Sequence, residues 1–153
     1  MEYRGQVTAK GKKVAIIISR FNETVSVRLL EGASETLLQH GATESALDVF
    51  WTPGSFEIPL VASAIARKDK YDGILALGCI IRGETPHFDY IAAETAKGLA
   101  RVMMDSGVPV AFGIITADTM DQAVDRAGGK HGNKGRLAAL GLMEMMDLLK
   151  VIK

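Results

Sequence analysis

Apolar residues are distributed along the chain in short blocks with two alternating periods. Val14 to Ser19 (VAIIIS) is apolar on both faces of an extended chain, the pattern of a strand covered from both sides. It stops at Arg20-Phe21-Asn22. From Val27 through Leu30, Leu37 and Leu38 the spacing becomes helical and ends at His40-Gly41, where a glycine can take the left-handed capping conformation. The unit then repeats. Leu47 to Trp51 predicts a second strand, Thr52-Pro53-Gly54-Ser55 a turn, and Phe56 to Lys68 a helix that tolerates Pro59 in its first turn, where amides lack intrahelical partners. Gly73 to Ile81 (GILALGCII) predicts the third strand, Arg82 to His87 a loop, and Asp89 to Ser106 a long helix. Val108 to Ile115 predicts the fourth strand, followed by a short helix from Met120 to Ala127 and a glycine-rich turn from Gly128 to Gly135. A closing helix carries Leu137, Leu140, Met145 and Leu148 on one face.

Strands alternating with helices of this length require crossover connections, which parallel neighbours need and which are almost always right-handed. The expected fold is therefore α/β: a flavodoxin-like, three-layer α/β/α sandwich around a mainly parallel four-stranded sheet. Residues 1–13 are polar and basic. They predict an N-terminal arm that frays or lends an extra strand to a neighbouring subunit, with fraying favoured, and residues 14–153 predict a single domain. The length of 153 residues, 48% hydrophobic and 24% charged, fits one compact core. Eighteen Lys plus Arg balance eighteen Asp plus Glu, so no overall basic field exists to gather nucleic acid or an anionic membrane. One cysteine and three scattered histidines supply neither a disulfide nor metal-ligand spacing. With no apolar leader and no run of roughly 18 apolar residues, a cytoplasmic location is expected.

In an open parallel sheet the loops leaving the strands share one carboxyl edge, and ligands bind there. This selects residues 20–24, 52–57, 82–88 and 113–119, which hold Phe21, Asn22, Ser55, Glu57, Glu84, Thr85, His87 and Asp118. Ser55, Asp89 and Asp118 suit helix capping equally well. Glu57 just inside a helix start suits both the helix dipole and hydrogen bonds from a polyhydroxyl or ureido ligand. Pro86 stiffens a loop that delivers His87 to the beginning of a helix, and an imidazole there suits proton transfer near neutral pH. Cys79 invites a thiol nucleophile paired with His87, against the commoner buried, inert cysteine. Arg126, Lys130 and Lys134 form the one concentrated cationic patch, among glycines that let backbone approach an anion. It has neither the Gly-Lys-Ser/Thr of a nucleotide phosphate loop nor a Gly-x-Gly-x-x-Gly cradle. Reached by descending a helix from the carboxyl edge, the patch is expected to serve a neighbouring subunit's pocket.

Arg20-Phe21-Asn22, Gly54-Ser55-Phe56-Glu57-Ile58-Pro59, Gly78-Cys79-Ile80-Ile81-Arg82-Gly83 with Thr85 and His87-Phe88, Phe112-Gly113, and Gly132-Asn133-Lys134-Gly135 together resemble the 6,7-dimethyl-8-ribityllumazine synthase family. The resemblance runs in order through nearly the whole chain. It implies condensation of 5-amino-6-ribitylaminouracil with 3,4-dihydroxy-2-butanone 4-phosphate, releasing phosphate and water, in the penultimate step of riboflavin biosynthesis. It implies no cofactor. Carried over residue by residue, it makes His87 the proton-transfer residue. It makes Phe21, Ser55, Phe56, Glu57, Cys79, Ile80, Ile81, Phe112 and Lys134 contacts of the ribitylaminouracil, with Phe21 stacking on the pyrimidine. Glu84, Thr85 and Arg126 become contacts of the phosphate, and Phe112, Arg126 and Lys134 come from an adjoining subunit. It also implies a homo-oligomer, a pentamer, with an icosahedral shell of pentamers favoured because no inserted residues precede Gly132, and it leaves room for association with riboflavin synthase. Gly129 and His131 depart from the family's pattern without removing the phosphate ligands. A noncatalytic flavin or pterin carrier and a Cys79–His87 hydrolase are the rival readings.

Overall fold

The computed structural model describes residues 1–153. Four strands, β1 (Val14–Ser19), β2 (Leu47–Thr52), β3 (Gly73–Ile81) and β4 (Val110–Ala117), form one all-parallel sheet in the order β2-β1-β3-β4. Helices α1 (Glu23–Gln39), α2 (Ile58–Ala66), α3 (His87–Ser106), α4 (Met120–Asp125) and α5 (Lys134–Ile152) cover it. Side chains alternate across the strands and so build two cores. Val14, Ile16, Ile18, Leu75 and Leu77 pack with Leu29 and Leu37 of α1, Ala123 of α4 and Leu142 and Met143 of α5. Ala15, Ile17, Ile74, Ala76 and Ile114 pack with Ile58 and Ala62 of α2 and Leu99 of α3. The first core holds 19 buried residues and the second 10, so the α2–α3 layer is the thinner cover. It leaves Phe56, Leu60 and Met104 exposed. The flavodoxin-like α/β/α sandwich expected from the strand–helix alternation is the fold observed.

Several boundaries differ from the expectation. β4 begins at Val110 because Pro109 has no amide to give the ladder, although its carbonyl accepts from the Ile74 amide at 2.9 Å. Pairing then continues to Ala117, opposite Ile81. α3 starts at His87, two residues early, directly after Pro86. α2 is shorter than Phe56–Lys68, and a single 3₁₀ turn, Ser55–Glu57, leads into it with Pro59 in its first turn as expected. The glycine-rich turn folds as a small antiparallel hairpin, β5 (Ala127–Gly129) and β6 (Gly132–Asn133). The arm is tied down rather than frayed: the Gln6 amide donates to the Asp147 carboxylate at 2.7 Å, the Ala9 amide donates to the His40 carbonyl at 2.9 Å, and Ala9 is fully buried. Backbone groups make these ties, which is why side-chain polarity did not reveal them. No helix is long and apolar enough to cross a membrane.

The strand order fixes where a ligand crevice opens. The chain moves from β1 outward to β2, then back across β1 to β3, so the connections leaving β1 and β3 diverge to opposite faces at their carboxyl ends.

Candidate active site

A cavity of about 460 Å³ lies at that divergence, lined by the loop after β1 (Phe21, Asn22), the turn after β2 (Gly54 to Glu57), the end of β3 (Cys79 to Ile81), the loop after it (Gly83, Thr85) and the first turns of α3 (His87, Phe88, Ile91). Its floor is backbone. β3 pairs with β1 only as far as Leu77, so from Gly78 to Ile81 it runs on with no strand on its β1 side. Asn22 closes part of that gap. It sits in the left-handed conformation, φ 60°, which Asn tolerates better than most residues, and its side-chain amide donates to the Cys79 carbonyl at 3.0 Å. The Arg20 and Phe21 amides donate to the Thr52 and Pro53 carbonyls at 2.8 and 3.0 Å, so the Phe21 ring is presented from an anchored backbone while remaining 72% exposed.

The polar wall comes from the turn after β2. Glu57 Oε1 accepts from the Gly54 amide at 2.9 Å, which holds the carboxylate at the helix entrance, and Glu57 also lines the cavity. Holding the turn and lining the cavity are thus combined in one residue. Ser55 is 5% exposed, and its carbonyl accepts from Thr95 of α3. Its hydroxyl and that of Ser19 flank Gly78, where an added Cβ would sit 2.7 Å from both oxygens. Ser19 is fully buried and its hydroxyl has no hydrogen-bond partner. None of Ser55, Asp89 and Asp118 caps a helix. Thr119 and Asn133 cap α4 and α5 instead, and Asp89 and Asp118 both bond to Arg82.

Burial pushes the Cys79 thiol up to about 11, so it stays protonated at neutral pH and offers no thiolate for a hydrolase. His87 is exposed at the cavity wall, its amide donating to Thr85 Oγ1 at 3.4 Å. The structure therefore brings together Phe21, Ser55, Phe56, Glu57, Cys79, Ile80, Ile81, Thr85 and His87. Glu84 belongs to the same loop but does not line the cavity. Phe112 on β4, Arg126 after α4 and Lys134 at the start of α5 lie outside it as well. Asn22 appeared among the loop residues without a role, and Ile91 was not singled out, being one apolar residue in a helical repeat. Arg82 had no local signal for its partners, since Asp118 lies 36 positions away. No three His, Cys, Asp or Glu side chains gather where they could hold a metal ion.

An aromatic-rimmed crevice with a carboxylate, an imidazole and strand backbone open on the β1 side, set outside the switch point of a parallel sheet, places this flavodoxin-like protein in the class of open α/β folds with a ligand crevice at the carboxyl edge. Residues 11–150 match the family model for 6,7-dimethyl-8-ribityllumazine synthase, and the chain belongs to that family. It is an enzyme, a transferase with lumazine synthase activity in riboflavin biosynthesis.

Proposed function

We propose that this enzyme condenses 5-amino-6-ribitylaminouracil with 3,4-dihydroxy-2-butanone 4-phosphate to 6,7-dimethyl-8-ribityllumazine, releasing orthophosphate and water. The observation that carries this reading is the meeting, in one cavity, of an exposed Phe21 ring, the β3 backbone at Gly78–Ile81 that lacks a strand on its β1 side, and His87. Phe21 stacks on the pyrimidine, and the backbone of the Ile80–Ile81 segment, where it faces the open β1 side, matches its polar edge. Ser55, Phe56 and Glu57 receive the ribityl chain. Thr85 and the neighbouring Glu84 amide take the phosphate from one side.

The amine attacks the ketone and water leaves. Loss of phosphate and tautomerisation then free a second carbonyl, on which the ribityl-bearing nitrogen closes the ring with loss of a second water. Those steps require positioning and proton transfer. Alignment of two substrates can contribute roughly 7–11 kcal/mol, and an imidazole relay about 10²–10⁴-fold. His87 carries the relay.

The site is completed by a second copy of the chain. Phe112, Arg126 and Lys134 are absent from the cavity of their own subunit, and Phe112 is exposed on β4, an edge strand of the sheet. Exposed Phe56, Leu60 and Met104 on the thin α2–α3 layer favour burial between copies. A pentamer, closing into an icosahedral shell, is the assembly proposed, with the cytoplasm as its location.

Incubation with both substrates tests the reading. Lumazine absorbance must rise well above the spontaneous reaction. A flavin or pterin carrier would bind without raising it, and Cys79→Ala, which removes the thiol without filling the cavity, would abolish activity in a hydrolase but not in the synthase. Mixing Arg126→Ala with His87→Ala chains must restore activity if the site is shared, and no recovery would overturn the shared site.

A further inference from the structure

Arg82 leaves the end of β3 and touches three parts of the fold. Its Nε donates to Asp118 Oδ1 at 3.0 Å, just beyond β4. A terminal nitrogen donates to Asp89 Oδ1 at 3.2 Å, in the first turn of α3. The guanidinium carbon lies 4.4 Å from the centre of the Phe88 ring, a lining residue of the cavity. The partners are themselves held: the Asp118 amide donates to Gln122 Oε1 at 2.9 Å, and the Arg82 amide donates to the Ala117 carbonyl at 2.9 Å.

All these side chains are substantially exposed, at 46% for Arg82, 58% for Asp89 and 67% for Asp118. Exposed pairs contribute little to stability, so a stability role does not account for a three-way arrangement. Its geometry does something else. A planar guanidinium can bond two carboxylates in its own plane while a ring stacks on its face, and an ammonium cannot. The three partners bracket the loop Gly83–Pro86 and the start of α3, the segment on which His87 stands. That loop has few ties of its own: the Asp89 amide donates to the Pro86 carbonyl at 3.0 Å, and the His87 amide makes a long bond to Thr85 Oγ1 at 3.4 Å.

We propose that Arg82 is a positioning residue: a clamp that fixes the β3–α3 corner against the β4–α4 corner and so sets where the His87 imidazole and the Phe88 ring stand in the cavity. The proposal rests on the reading of His87 as the proton relay for its effect on turnover, but not for its effect on the loop.

Both are measured on the intact assembly. Arg82→Ala is expected to lower kcat about 10- to 100-fold, the scale of a small misplacement of a catalytic group, with KM for the ribitylaminouracil changed by less than about threefold. Arg82→Lys should recover little of the loss, and millimolar guanidinium should restore part of it to Arg82→Ala. Independently of turnover, amide hydrogen exchange across residues 83–88 should quicken about tenfold or more in Arg82→Ala. Asp89→Asn and Asp118→Asn, each weakening one arm, should show smaller changes in the same direction. Unchanged exchange at residues 83–88 overturns the clamp whatever the turnover, and so does wild-type kcat in Arg82→Lys. If His87→Ala turns over at the wild-type rate, the relay reading fails instead, and the clamp is then judged on exchange alone.

Discussion

The corner after β3, residues 82–89, and the hairpin before α5, residues 126–135, look alike as sequence: both open on an arginine and combine it with glycine and a histidine. In the structure they do opposite work. At the first, side chains converge on the cavity, and Gly83 has open space where a side chain would be. At the second, most of the Gly-Asn-Lys-Gly block docks α5 onto α1. A Cβ on Gly135 would run into the Leu29 carbonyl. Asn133 accepts from the Arg136 amide at 3.1 Å while donating to the Arg28 carbonyl at 3.0 Å, and Gly132 turns the hairpin at φ 79°. Lys134, and Arg126 at the hairpin's entrance, take no part in that docking and are residues proposed to meet the substrates. One block thus mixes packing residues and candidate ligands, and spacing alone does not separate them.

His87→Ala presses hardest on this contrast. It should lower turnover about 10²–10⁴-fold under chemistry-limited conditions while leaving the thermal midpoint unchanged, because the side chain is exposed. Wild-type turnover would remove the β3 corner's claim to chemistry. Gly135→Ala should do the reverse, reducing unfolding free energy in denaturant by about 1–3 kcal/mol through overpacking, with kcat per folded molecule retained. A normal denaturation midpoint with lost kcat would show that the hairpin's glycines serve the reaction. Asn133→Ala should reduce stability by about 0.5–2 kcal/mol, the worth of a helix cap. Asn133→Ser, keeping the cap but not the reach to Arg28, should recover part of it.

The smallest effect belongs to a cluster away from both regions. Tyr71 Oη donates to Asp48 Oδ2 at 2.6 Å, and that hydrogen bond, followed by the charges of Lys13 and Lys70, holds the Asp48 carboxyl below its usual 3.8. Its contribution is present above the unfolded carboxylate's pKa and is lost as pH falls through the lower folded value. Asp48→Asn should therefore flatten the acid limb of the stability curve by about 1 kcal/mol or less, with turnover at neutral pH unchanged. A change in acid as large as that at neutral pH, or larger, would contradict that sign.

Much of the fold was legible because it rests on local patterns. VAIIIS and GILALGCII are apolar on both faces and could only be central strands, and β3 falls on the residues expected of it. The carboxyl-edge loops followed from the parallel topology, and nine of the residues picked from sequence line one cavity. What did not show were relations between backbone groups and between distant residues: the arm's hydrogen bonds, the left-handed Asn22 bonded to Cys79, Arg82 between Asp89 and Asp118, and Gly135 against Leu29.

The sequence by itself determined the order of strands and helices, the sheet's parallel sense and the residues available at its carboxyl edge, because hydrophobic period and turn chemistry act over a few neighbours. Only the tertiary structure decided that β3 outruns β1 to leave its backbone bare on that side, that burial keeps Cys79 protonated, and that Arg82 meets both Asp89 and Asp118. Those outcomes depend on register, burial and distance between segments far apart in the chain, quantities that exist only once the layers have packed.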